Sequence, residues 1–154
     1  MLRIFKTGFS LMEMVIVLVI IGILFASISN ITGSIDYAKI NTTKSQIFQI
    51  HKAVNDYMAS HEGLMSYSLL KSKYPDFANP DSEGSLWDEY FDGSVPKNGF
   101  GKPWNVNVVN GELEISSDVR KSTNCEKISK SIQDQVSSVQ CEETILKVYF
   151  NDGN

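Results

Sequence analysis

The chain begins with apolar positions that no charge interrupts and then changes to a periodic pattern. Twenty-two positions from Met14 to Ile35 carry no charged residue. As a helix rising 1.5 Å per residue, the run would extend about 33 Å, enough to cross a hydrocarbon layer of about 30 Å. After Asp36 the apolar residues Ile40, Ile47, Ile50, Val54, Tyr57 and Met58 recur at helical spacings, and Lys39, Lys44, Lys52 and Asp56 fall elsewhere. The pattern predicts one helix to about Ser60, apolar all round in its first half and amphipathic in its second. His61-Glu62-Gly63 supplies the stop. Within this helix Gly22, Ser27, Ser29, Asn30, Thr32 and Gly33 are modest or poor helix formers.

From Gly63 to Phe100 the pattern is irregular, with Pro75, Pro80, Pro96 and the cluster Asn79-Pro80-Asp81-Ser82-Glu83-Gly84 marking turns. A short helix is expected around Ser85 to Phe91. Trp104 to Val109 then reads as a strand, Asn110-Gly111 as a two-residue turn and Glu112 to Ser116 as the return strand. Past Cys125, the residues Ile128, Ile132, Val136 and Val139 are three and four apart and predict a short amphipathic helix. Thr144 to Phe150 alternates as a closing strand.

Composition adds limits more than direction. A chain of 154 residues with 42% hydrophobic and 21% charged positions is ordinary for one modest domain plus accessory segments. The net charge of -4 and the lack of a basic block argue against nonspecific binding of nucleic acid or anionic lipid by the soluble part, since such binding needs clustered Lys and Arg. Cys125 and Cys141 have no neighbours at zinc spacing, so they are two buried thiols or one disulfide. Arg3 and Lys6 precede the apolar run and favour a cytoplasmic N-terminus, with the rest of the chain outside. An oxidising compartment favours the disulfide. His51, His61, Trp87 and Trp104 read as packing or surface residues, and Asp88, Glu89 and Asp92 as a solvated acidic face without the spacing of a calcium loop.

Glu13 is the exception to the apolar pattern. A charged side chain costs about 2.5 to 3.5 kcal/mol at a bilayer centre and less near the interface. One reading places Glu13 at headgroup depth in the first helical turn, where water and the helix dipole make it tolerable. The other comes from its surroundings. Gly8-Phe9-Ser10-Leu11-Met12-Glu13, with a short basic leader before it and MVIVLVIIGIL after it, resembles the class III signal of type IV pilins and of type II secretion pseudopilins.

That resemblance implies cleavage between Gly8 and Phe9 by a prepilin peptidase that also N-methylates Phe9. The apolar helix is then kept. An ordinary secretory signal would instead be cut beyond its apolar core, near Ser27 or Ser29, and the anchor discarded. In the pilin reading the Glu13 carboxylate pairs with the Phe9 ammonium of its own or a neighbouring chain. An unpaired carboxylate in a helix bundle costs several kcal/mol, so the pairing sets the register of assembly.

The resemblance further implies residues 1–8 as leader, 9–35 as transmembrane and assembly helix, and 36–154 as an extracellular or periplasmic head. The expected fold is α+β, pilin-like, with the second half of the long helix packed on a small antiparallel sheet. Expected partners are the peptidase and methyltransferase, an inner-membrane assembly platform, the cytoplasmic membrane, and other copies of the chain in a helical filament. No catalytic residue, cofactor or metal is implied. A disulfide between Cys125 and Cys141 would close the C-terminal region, as in many pilins.

The stretch from Asn98-Gly99-Phe100-Gly101 through the hairpin to Asn124-Cys125-Glu126-Lys127-Ile128 is similar to type IVb pilins. The eight-residue leader and Phe9 are more usual in type IVa pilins and pseudopilins, many of which carry Pro where this chain has Asn30. The subgroup stays open.

Overall fold

A single helix, α1 (Leu11–Ser60), takes up both halves of the predicted N-terminal pattern. The computed structural model describes residues 11–152, with the side chains of residues 11 and 24–34 left aside. Two units divide the chain, Met1–Tyr37 and Ala38–Asn154. The expected leader, Gly8 and Phe9 lie outside the described residues. Among the described residues no helix is long and apolar enough to cross a membrane. The side chains of positions 24–34 lie outside that description, so the span expected from Met14 to Ile35 is described only in part.

The second unit is built on the amphipathic part of α1. Ile40, Ile47, Ile50, Val54, Tyr57 and Met58 are all buried, and Lys52 and Asp56 face solvent as an i, i+4 pair 2.8 Å apart. The apolar stripe lies against a four-stranded antiparallel sheet, where Phe48 and His51 of α1 meet Phe150. Strands β1 (Asn105–Val109), β2 (Glu112–Asp118), β3 (Ser138–Glu142) and β4 (Ile145–Phe150) stand in the order β1-β2-β4-β3. Alternation places Leu113 and Ile115 of β2 and Leu146, Val148 and Phe150 of β4 in the core, and the register pairs Ile115 with Val148. Residues on this face have their apolar surface removed from water at about 25 cal/mol per Å², which is the main term holding the unit together.

The β1–β2 turn forms at Asn110-Gly111 as the sequence indicates. Both residues have positive φ, 54° and 87°, a backbone that Asn and Gly adopt at little cost. The short helix expected within the irregular stretch is α3 (Leu86–Tyr90), capped by the Ser85 hydroxyl, which accepts from the Asp88 N–H.

Two elements differ from expectation. A further helix, α2 (Tyr67–Lys73), occupies part of the stretch read as irregular. Its single turn or two of apolar spacing, Tyr67 and Leu70, is too short to register as a period, although Ser66 caps it through the Leu69 N–H. The helix after Cys125 is shorter than its spacing implies. It is α4 (Ser122–Ile132), followed by a 3₁₀ turn, Gln133–Gln135. At Val136 the backbone becomes extended, and Val139 belongs to β3, where it pairs with Val148. A three-residue spacing between two β-branched residues fits either a helix or a turn into a strand, and pairing with β4 decides it.

Candidate functional site

The N-terminal part of α1 presents apolar side chains on every face. Met12, the consecutive residues Met14 to Ile21, and Ile23 are exposed, from 42% at Ile21 to 74% at Met12. A helix apolar all round is stable when lipid or other protein covers it, because in water each such side chain forgoes its burial energy. Glu13 stands exposed in the first turn of this helix, where the positive end of the helix dipole favours a carboxylate. Gly8 and Phe9, the other residues singled out with it, lie outside the described residues.

In the second unit the two cysteines are bonded, with Cα atoms 5.9 Å apart. Cys125 is fully buried on the face of α4 that also buries Asn124, Ile128 and Ile132. Cys141 lies on β3 opposite Leu146. The bond therefore ties α4 to the edge strand of the sheet and closes the segment that holds the 3₁₀ turn. Restricting a loop of this length in the unfolded chain stabilises the fold by about 3 kcal/mol in the chain-entropy model.

The two histidines are packed into aromatic contacts. His51 stacks on Phe150 with ring centroids 3.9 Å apart, and its Nε2 lies 3.0 Å from the Tyr67 hydroxyl and 3.2 Å from Asn55 Nδ2. Burial lowers its pKa below the ordinary 6.5. Burial, with the Asp152 charge second, pushes Tyr67 up to about 12. His61 stacks on Tyr57 at 4.0 Å and lies 3.4 Å from Glu89. Trp87 and Trp104 are buried, their indole N–H groups donating to the Ala78 carbonyl and to Gln46 Oε1.

The acidic residues near α3 have local tasks. Asp88 accepts from the Gly84 N–H, and Glu89 faces His61. Among the described residues no group of three or more His, Cys, Asp or Glu side chains is placed to hold a metal ion.

A contact that the sequence pattern did not reveal joins the loop before β1 to α1. Asn98 is buried, and its amide donates to Ser117 Oγ and the Asp118 carbonyl, both at 2.9 Å. Its Oδ1 accepts from the N–H groups of Phe100 and Lys102. Gly99 next to it donates its N–H to Thr43 Oγ1 at 3.1 Å. The Asn98-Gly99-Phe100-Gly101 run was the only signal for it, and its physical role needs the position of α1.

The family model for the prokaryotic N-terminal methylation motif matches residues 5–29. No curated protein and no solved structure matches the chain. Residues 5–29 thus match the prokaryotic N-terminal methylation motif, the motif expected of a class III signal, on a chain whose second unit is an α+β fold consistent with that of a pilin.

Proposed function

We propose that the chain is a prepilin, a structural subunit rather than an enzyme, cleaved after Gly8, N-methylated at Phe9 and polymerised through its N-terminal helix into a type IV pilus. The carrying observation is the methylation motif at residues 5–29, which runs into a helix with exposed apolar residues on all faces. Before assembly the uncharged run from Met14 to Ile35 holds the chain in the bacterial inner membrane, N-terminus in the cytoplasm and head outside. During assembly the same surface moves from lipid to the helices of neighbouring copies, and the Glu13 carboxylate meets a Phe9 ammonium. The fibre then reaches the cell surface and serves adhesion, aggregation, motility or DNA transfer.

A pseudopilin of a type II secretion system shares the motif, and the eight-residue leader and Phe9 suit it. The cysteine pair supports the pilin instead. Shearing cells and sequencing the released material by mass spectrometry tests the proposal. Surface fibres whose subunits begin at methylated Phe9 support it, and a chain found only in the cell envelope points to the pseudopilin. An N-terminus at Asn30, or an intact Met1, sinks both.

A further inference from the structure

The second unit carries its charge unevenly. Residues 74–96 include the acids Asp76, Asp81, Glu83, Asp88, Glu89 and Asp92 and no Lys or Arg. Cations gather at the other end, where α1 enters the unit. A Cβ built on Gly99 would lie 2.1 Å from the Lys39 carbonyl oxygen, so the loop holding Lys97 and Lys102 lies directly on α1 at Lys39. Asn98 fastens that loop to the end of β2 at Ser117 and Asp118, and Arg120 and Lys121 follow immediately. Lys97, Arg120 and Lys121 are exposed, and Lys39 and Lys102 are half-buried.

The acids at this end, among them Asp36 three residues before Lys39 on α1, do not cancel the five cations. Asp118 accepts from the Arg120 N–H at 2.7 Å and lies 3.7 Å from Lys102 Nζ. Glu142 is engaged by Lys147 at 2.6 Å. Glu143 stands in the turn before β4, near the Thr144 carbonyl that accepts from the Val119 N–H. A positive excess remains, and it corrects the expectation that the soluble part has no clustered Lys and Arg for anionic lipid: the fold gathers cations that form no block in the sequence.

We propose that this basic collar docks on the anionic phospholipid headgroups of the membrane that holds α1, seating the head on the bilayer until the subunit is drawn into a fibre. The inference rests on the membrane-held reading above. Position along the chain identifies the occupant: Lys39 comes four residues, about one helical turn, after the uncharged run ends at Ile35. The bilayer that takes up that run is therefore the first anionic surface within reach, and exposed Lys and Arg side chains are attracted to anionic headgroups within about a Debye length.

Site-resolved acylation of lysines tests this on the full chain reconstituted in vesicles of phosphatidylglycerol or of phosphatidylcholine. The expected result is labelling of Lys97, Lys102 and Lys121 about fivefold slower in the anionic vesicles, with Lys71 and Lys73 of α2 unchanged. Salt at about 0.5 M should remove the difference, and the double variant K97Q/K121Q should relieve the protection of Lys102. Equal rates in the two vesicles overturn the proposal. Protection that is the same in both lipids and grows with protein density also overturns it, assigning the collar to a second copy. A chain that floats with neither vesicle overturns the membrane-held reading itself, and the collar falls with it.

Discussion

Gly99 has no room for a side chain because the backbone of Lys39 occupies it: an added Cβ would stand 2.1 Å from the Lys39 oxygen and 2.8 Å from its carbonyl carbon. The loop is held there by the Gly99 N–H, which donates to Thr43 Oγ1, and that hydroxyl in turn donates to the Lys39 carbonyl at 2.8 Å. Backbone against backbone leaves no flexible group to yield. Gly99→Ala should therefore destabilise the head by about 2 kcal/mol, within the range for overpacked sites. Thr43→Val should cost about 1 kcal/mol by removing the hydroxyl. Thermal unfolding of both variants checks the order, and a Gly99→Ala protein as stable as wild type would refute the close contact.

Glu13→Ala is expected to leave cleavage after Gly8 intact and to lower the yield of fibre, because the Phe9 ammonium loses its counter-charge. A bulky residue in place of Gly8 should block cleavage itself. Immunoblots of envelope and sheared fractions read both steps. Wild-type amounts of fibre from Glu13→Ala cells would leave the headgroup-depth explanation of Glu13 standing.

Replacing either Cys125 or Cys141 with Ser should destabilise the head by about 3 kcal/mol, a large part of a small unit's total. The N-terminal signal is untouched, so such subunits should be processed and then degraded. Thiol labelling of denatured, unreduced wild-type protein should find no free cysteine. Two labelled cysteines per chain would exclude the bond.

His51 should make the head's stability depend on pH on the acid side. Its folded-state pKa lies below the ordinary 6.5, so the unfolded chain takes up a proton that the folded one resists. The contribution is fully present above about 6.5 and is lost as pH falls through the lowered folded-state value. Tyr67 acts at the opposite limit: with its pKa raised to about 12, stability falls as pH rises from its ordinary 10.0 towards that value. Urea midpoints at a series of pH values measure both, and His51→Phe should flatten the acid side only.

Long periods were the legible part of this chain. The buried stripe of α1 and the alternation of β4 follow from spacing, because each repeats over enough residues to exclude another geometry, and the hairpin follows from Asn110-Gly111, two residues that accept positive φ. What spacing could not supply depends on residues distant in sequence. β3 is a strand because β4 lies beside it, α2 is too short to show a period, and Asn98 makes its hydrogen bonds to Ser117 and Asp118 only once β2 and the loop have met. The methylation motif at residues 5–29 was legible in a different way, from residue types at fixed offsets rather than from a period.

The place of β4 in the sheet bears on the timing of folding. The last strand in sequence lies between β2 and β3 and pairs with both. A polypeptide emerging from its N-terminus onward can form the β1–β2 hairpin early, but the centre of the sheet stays vacant until β4 arrives. Pairing of β2 with β4 then closes across α4 and the disulfide loop, a non-local step of the kind that slows folding. Until then the part of α1 that Phe150 covers, at Phe48 and His51, lacks its partner, so completion of the head is coupled to delivery of its final strand.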